Sequence, residues 1–197
     1  MIYKATKQKP FMIQDGYHYM VIKGKEYDLC AEHAQNMWAG EKTSNISSAQ
    51  YNRGCCNSTE DPTKAERIGT LGEMAVGKLF GWEINLNYQK FGDNYDFLVN
   101  DWKIDVKTAT RNYGATLVKR ESHTGHIYPL TNDIYICCYM SRERKQQAII
   151  AICGFETKEN MENYTTTPAR RGKHKNIELP FSKIQDITKI KDVLNNR

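Results

Sequence analysis

Between residues 63 and 80 the apolar side chains Ile68, Leu71, Ala75 and Leu79 recur at intervals of three and four, the stripe that one face of an amphipathic helix needs. Asp61-Pro62 stands just ahead of it, and proline suits a first helical turn. At ~100° per residue Glu73 falls at the margin of that stripe, an acid half-turned toward the core. Downstream the pattern shortens. Residues 82–88, 94–99 and 102–107 predict three successive strands, broken at Gly81, Gly92-Asp93 and Asn100-Asp101. Residues 115–118, 133–140 and 148–153 predict further strands, and 183–194 a closing helix. Upstream, residues 17–29 predict a hairpin turning at Lys23-Gly24-Lys25, followed by short helices over 30–38 and 44–53. The expected class is α/β: a mixed sheet of four to six strands flanked by helices. Residues 1–62 form an N-terminal hairpin and helical elaboration packed on a core of residues 63–197.

The segment 94–107, NYDFLVNDWKIDVK, carries the candidate chemistry. With Asn100-Asp101 as a two-residue hairpin loop, Val99 pairs with Trp102, Leu98 with Lys103 and Phe97 with Ile104, and Asp96 faces Asp105. Directly opposed like charges are destabilising unless something offsets them. Lys107 lies two positions beyond Asp105 and so on the same face, while Phe97, Val99, Ile104 and Val106 turn to the core. Two carboxylates and a lysine on one patch of sheet make a hard-cation site with a positive group beside it. Mg²⁺ fits best, since it prefers one or two carboxylates and expects phosphate oxygens among its other ligands. The lysine can orient water or neutralise charge developing on phosphorus.

Composition narrows the partner. The 197 residues carry 28 Lys+Arg against 23 Asp+Glu, a net charge of +5. Residues 1–107 hold 13 basic and 14 acidic groups, whereas residues 108–197 hold 15 and 9. A polyanion is therefore expected to be gripped by the second half. Its basic residues fall in three clusters: Arg111 with Lys119 and Arg120, Arg142 to Lys145, and Arg170, Arg171, Lys173 and Lys175, with Tyr113 available for stacking. The last cluster reads as a loop able to order on a phosphate backbone. Six cysteines without an export signal read as reduced thiols in a cytoplasmic chain. Cys30, His33, Cys55 and Cys56 are a weaker zinc alternative, because adjacent cysteines rarely ligate one ion together. No apolar window is long enough for a membrane span, and neither a phosphate-binding P-loop nor a serine-hydrolase elbow is present.

Asp96, the triplet Asp105-Val106-Lys107 and Glu73 in Gly72-Glu73-Met74-Ala75 together resemble the PD-(D/E)XK nuclease superfamily over about residues 63–107. The resemblance implies a restriction-endonuclease-like fold and a Mg²⁺-dependent nuclease acting on DNA, with Mn²⁺ able to substitute. It also implies metal ligation by Asp96, Asp105 and the Val106 carbonyl, with Glu73 binding directly or through water. Lys107 would activate water. Internal cleavage is expected over cleavage from ends. A junction- or RNA-directed nuclease, a binding module without turnover, and an interaction protein whose acidic patch holds a cation stand as alternatives. Residues 1–62 are open between dimerisation, substrate binding and completing the core.

Overall fold

Asp61 accepts from the Thr63 N–H at 3.1 Å and the Thr63 hydroxyl at 2.8 Å, which sets the start of the helix Lys64–Phe80, here α2. Gly81 ends it in the left-handed region at φ 79, its N–H returning to the Gly77 carbonyl. In this computed structural model, residues 1–43, 61, 63–87, 95–122, 125–164, 166–168 and 175–196 are described. The 44–53 helix prediction lies outside them.

The first strands are β1 Ile2–Lys4, β2 Met12–Gln14 and β3 Tyr17–Lys23, followed by the helix α1 Lys25–Thr43. After α2 come β4 Glu83–Asn85, β5 Phe97–Val99, β6 Trp102–Ala109, β7 Ala115–Glu121, β8 Ile134–Glu143 and β9 Gln147–Thr157. A short helix α3 Lys158–Met161, strands β10 Thr166–Pro168 and β11 Lys175–Pro180, a 3₁₀ turn Ile187–Lys189 and the helix α4 Ile190–Leu194 complete the described chain. The architecture is mixed α/β. Six strands form one mixed sheet in the order β2-β3-β9-β8-β6-β5, in which β6 and β8 are parallel. A second sheet runs β10-β11-β7, and β1 pairs with β4 alone.

Two expectations are corrected here. The N-terminal hairpin turns at Asp15-Gly16, φ 53 and 79, and joins β2 to β3. Gly24, φ 56, instead links β3 to α1, which starts where the second hairpin arm was expected. Residues 82–88 also do not lead the three-strand run into the main sheet. Among the described residues only β4 forms there, and it pairs antiparallel with β1, Tyr3 opposite Ile84.

The six-stranded sheet buries both faces. On one, Leu71, Met74 and Ala75 of α2 and Cys30 of α1 pack with Phe97, Ile104, Val106, Ile134, Ile136 and Cys138. On the other, Val118, Ile177 and Leu179 of the second sheet pack with Tyr135, Cys137, Tyr139 and Ala151. Phe181 stacks on Tyr139 with ring centroids 5.9 Å apart. Among the described residues no helix is long and apolar enough to cross a membrane.

Candidate functional site

Asn100 and Asp101 adopt φ 48 and 65, the left-handed pair that a tight two-residue hairpin requires. The ladder that follows pairs Val99 with Trp102, Leu98 with Lys103 and Phe97 with Ile104. It stops there. The Asp96 N–H donates to the Ile104 carbonyl at 2.9 Å, so Asp96 crowds against the same partner as Phe97 and does not continue the register as the direct partner of Asp105. Its side chain reaches across instead: Oδ2 accepts the Val106 N–H at 2.6 Å. The two acids are thus brought together one residue apart, Asp96 on the backbone of the triplet and Asp105 within it.

Asp105 and Lys107 sit on β6 beside Tyr135 and Cys137 of β8, on the face that the second sheet covers. The Lys107 Nζ lies 2.9 Å from Asp105 Oδ1 and 2.8 Å from Oδ2. The Asp105 side chain is 12% exposed and that of Lys107 39%, so Lys107 is the more exposed side chain of the pair. Desolvation alone would pull the Lys107 pKa down. The Asp105 carboxylate, by charge and hydrogen bond, and Asp96 outweigh it, and the net direction is upward. Asp96 moves well above the usual carboxylate range: burial is the largest cause, then the negative charges of Glu73 and Asp105, opposed by Lys107 and the Val106 N–H. Two acids therefore act on one carboxyl against one ammonium.

Glu73 reaches this cluster because of its neighbour. A Cβ placed on Gly72 would lie 1.8 Å from Thr108 Oγ1 and 3.1 Å from Thr108 Cβ, so only glycine lets α2 approach β6 this closely. Gly72→Ala is expected to lower stability by about 1–3 kcal/mol. Combination with Thr108→Ala should recover part of that loss, read from urea denaturation midpoints. Additive losses in the double variant would remove the close-approach account.

The other expected contacts are distributed as follows. Arg111 and Tyr113 lie exposed in the β6–β7 connection, with the guanidinium 4.8 Å above the Tyr113 ring. Lys119 belongs to β7, its backbone opposite Asn176. Arg120 directs Nη1 to the Tyr128 carbonyl at 2.6 Å, and Lys175 pairs with Glu121 at 2.9 Å. Both cations thus have structural partners already. Arg170, Arg171 and Lys173 lie outside the described residues, as do Cys55 and Cys56. Cys30 and His33 turn to separate backbone carbonyls, Thr70 at 3.7 Å and Leu86 at 3.1 Å. Burial raises the Cys30 thiol, which disfavours the thiolate a zinc ligand must be.

Sequence reasoning missed Tyr135. It is the parallel-register neighbour of Asp105, and burial with the Asp105 charge raises its phenol. The signal would have been the pairing of β6 with β8, which no local pattern announces.

Among the described residues no three His, Cys, Asp or Glu side chains are gathered at metal-ligating spacing. The donors on offer are the carboxylates Asp96 and Asp105, with Glu73 acting on Asp96. One or two carboxylates with solvent and phosphate oxygens are the set that Mg²⁺ ordinarily takes, so the donors fit that ion better than a fully protein-enclosed one. No family model, no curated protein and no solved structure matches the chain.

Proposed function

We propose that the chain is a Mg²⁺-dependent nuclease of the PD-(D/E)XK type with a restriction-endonuclease-like core, hydrolysing phosphodiester bonds of DNA internally. The observation that carries this reading is the β5–β6 hairpin. It draws Asp96 onto the Val106 N–H and places Asp105 in contact with the Lys107 ammonium, while Glu73 acts on Asp96 from α2. Asp96, Asp105 and the Val106 carbonyl would hold the ion, with Glu73 joining directly or through water. Bound there, Mg²⁺ would supply an activated water and offset charge developing on the phosphate. The Lys107 side chain is partly exposed beside Asp105, where its ammonium can orient that water and meet the phosphate oxygens. Arg111 and Tyr113 stand exposed on the connection leaving β6 and can carry the flanking backbone.

The test is cleavage of plasmid and linear oligonucleotides with Mg²⁺ or Mn²⁺ by the wild type, Asp105→Ala and Lys107→Ala. Loss of cleavage in both variants is expected; cleavage that persists in both sinks the assignment. A second reading, a nucleic-acid-binding module without turnover, draws on the Lys107 ammonium contacting both Asp105 oxygens. Salt-sensitive binding without cleavage by the wild type would favour it.

A further inference from the structure

The β8–β9 hairpin sorts its charges by a register shift. On a regular strand Arg142 would share the face of Met140, which packs against the helices, and Glu143 the face of Tyr139. Instead Met140 is level with Ile150 and Arg142 with Ile149, so Ser141 is an extra residue that resets the alternation. Glu143, level with Ala148, turns to the helices. There Arg67 Nε donates to its carboxylate at 2.9 Å and the Tyr27 hydroxyl at 2.8 Å. Arg142 goes to the opposite face with Ile149, the face that bears Asp105 and Lys107.

The acid of the hairpin is therefore neutralised inward, and its cations are left outward. Arg142, Arg144 and Lys145 are exposed and, with Gln146, Gln147 and Ile149, line an open groove of about 530 Å³. Exposed Lys23, opposite Gln147, adds a fourth cation at the same end of the sheet. Arginine forks and two glutamine amides match phosphate oxygens in both charge and geometry.

We propose that this hairpin is a second foothold for a nucleic-acid phosphate backbone, separate from the carboxylate site. Arg142 lies five residues beyond Cys137, the partner of Lys107, which at ~3.3 Å per residue is roughly 16 Å, or about five base-pair steps. The second sheet packs on the same face between the two, with Phe181 on Tyr139, so they are two footholds and not one continuous groove. The choice of nucleic acid over another polyanion rests on the nuclease reading; the surface itself does not.

Fluorescence anisotropy with a labelled DNA duplex of about 20 base pairs, in EDTA and across about 50–200 mM salt, reads binding without cleavage. Arg142→Gln, Arg144→Gln and Lys145→Gln together are expected to weaken binding by about tenfold or more and to flatten the log–log salt slope by about 2.7. The exposed tail lysines Lys183, Lys189 and Lys191, changed together to Gln, remove equal charge and are expected to leave the slope near wild type. Equal loss in both triples, or competition by polyglutamate as effective as by DNA, overturns the foothold. If the hairpin triple alone loses binding while the wild type cleaves nothing, the foothold stands and the nuclease reading falls. If the wild type cleaves and the hairpin triple binds normally, the foothold alone falls.

Discussion

Asp96→Asn is expected to lower Mg²⁺-dependent cleavage by roughly 10³-fold and, in the same protein, to raise the melting temperature at neutral pH. Both effects have one cause. The Asp96 carboxyl is held well above the usual carboxylate range by burial and by Glu73 and Asp105. The folded chain therefore binds its proton more tightly than the unfolded chain does, and wild-type stability falls as pH rises through that window. An asparagine keeps an oxygen for the Val106 N–H and removes the charge. The gain is expected to be roughly 0.5–2 kcal/mol at pH 8. It should close below about pH 4, where wild-type Asp96 is protonated in both states. Melting curves at the two pH values check this, and an asparagine variant melting lower than wild type at pH 8 would refute it. Mg²⁺ alone gives a readout free of catalysis. At about tenfold over its Kd it should stabilise the wild type by about 1.4 kcal/mol and leave Asp96→Asn unmoved.

Lys107→Met is expected to lower both quantities together. The ammonium contacts both oxygens of Asp105 and acts on Asp96, so its removal leaves the acids without that cation. A cleavage loss of 10²–10⁴-fold is expected for a group that moves or orients a proton. Stability should fall by roughly 1–3 kcal/mol, the cost of leaving a charged partner unpaired. Because the folded pKa of Lys107 is raised, its contribution is complete below the unfolded value near 10.4 and is lost only as pH climbs through the folded value. The wild-type advantage in urea should therefore be flat from pH 7 to 9 and shrink above about pH 10.5. A deficit that disappears near neutral pH would remove the ion pair as its source. Adding Asp105→Asn to Lys107→Met should restore part of the stability and none of the cleavage, which a double-mutant cycle separates.

The parts of this site that were legible in the sequence are those fixed by adjacent residues. Asn100-Asp101 permits the positive φ that a two-residue hairpin needs, and the register from Val99 to Phe97 follows from it. The stripe through Ile68, Leu71 and Ala75 likewise predicts α2 and the face it buries. The misread parts depend on what a segment meets far along the chain. Gly24 carries a positive φ in either a hairpin or a strand-to-helix turn; β3 finds its partner in β9, more than a hundred residues on. The direct opposition of Asp96 and Asp105 failed because the Asp96 N–H bonds the carbonyl of Ile104, which is already the register partner of Phe97, a local irregularity that alternation cannot express. Tyr135 was missed for a related reason: β6 and β8 are joined through β7, and their parallel register has no sequence signature.

The extra residue at Ser141 decides more than the shape of one strand. Deleting it would join Met140 directly to Arg142 on a regular ladder, Met140 still level with Ile150 and Arg142 with Ile149, and so would keep Arg142 outward and Glu143 inward. Keeping it while straightening the bulge would instead turn Glu143 outward onto Lys107's face and drive Arg142 inward against Arg67, exchanging a basic surface for an acidic one and a salt bridge for a repulsion. The polarity of this end of the molecule is thus held by a kink in the backbone and not by the list of residues, so a descendant of this sequence could reverse it without gaining or losing one charged group.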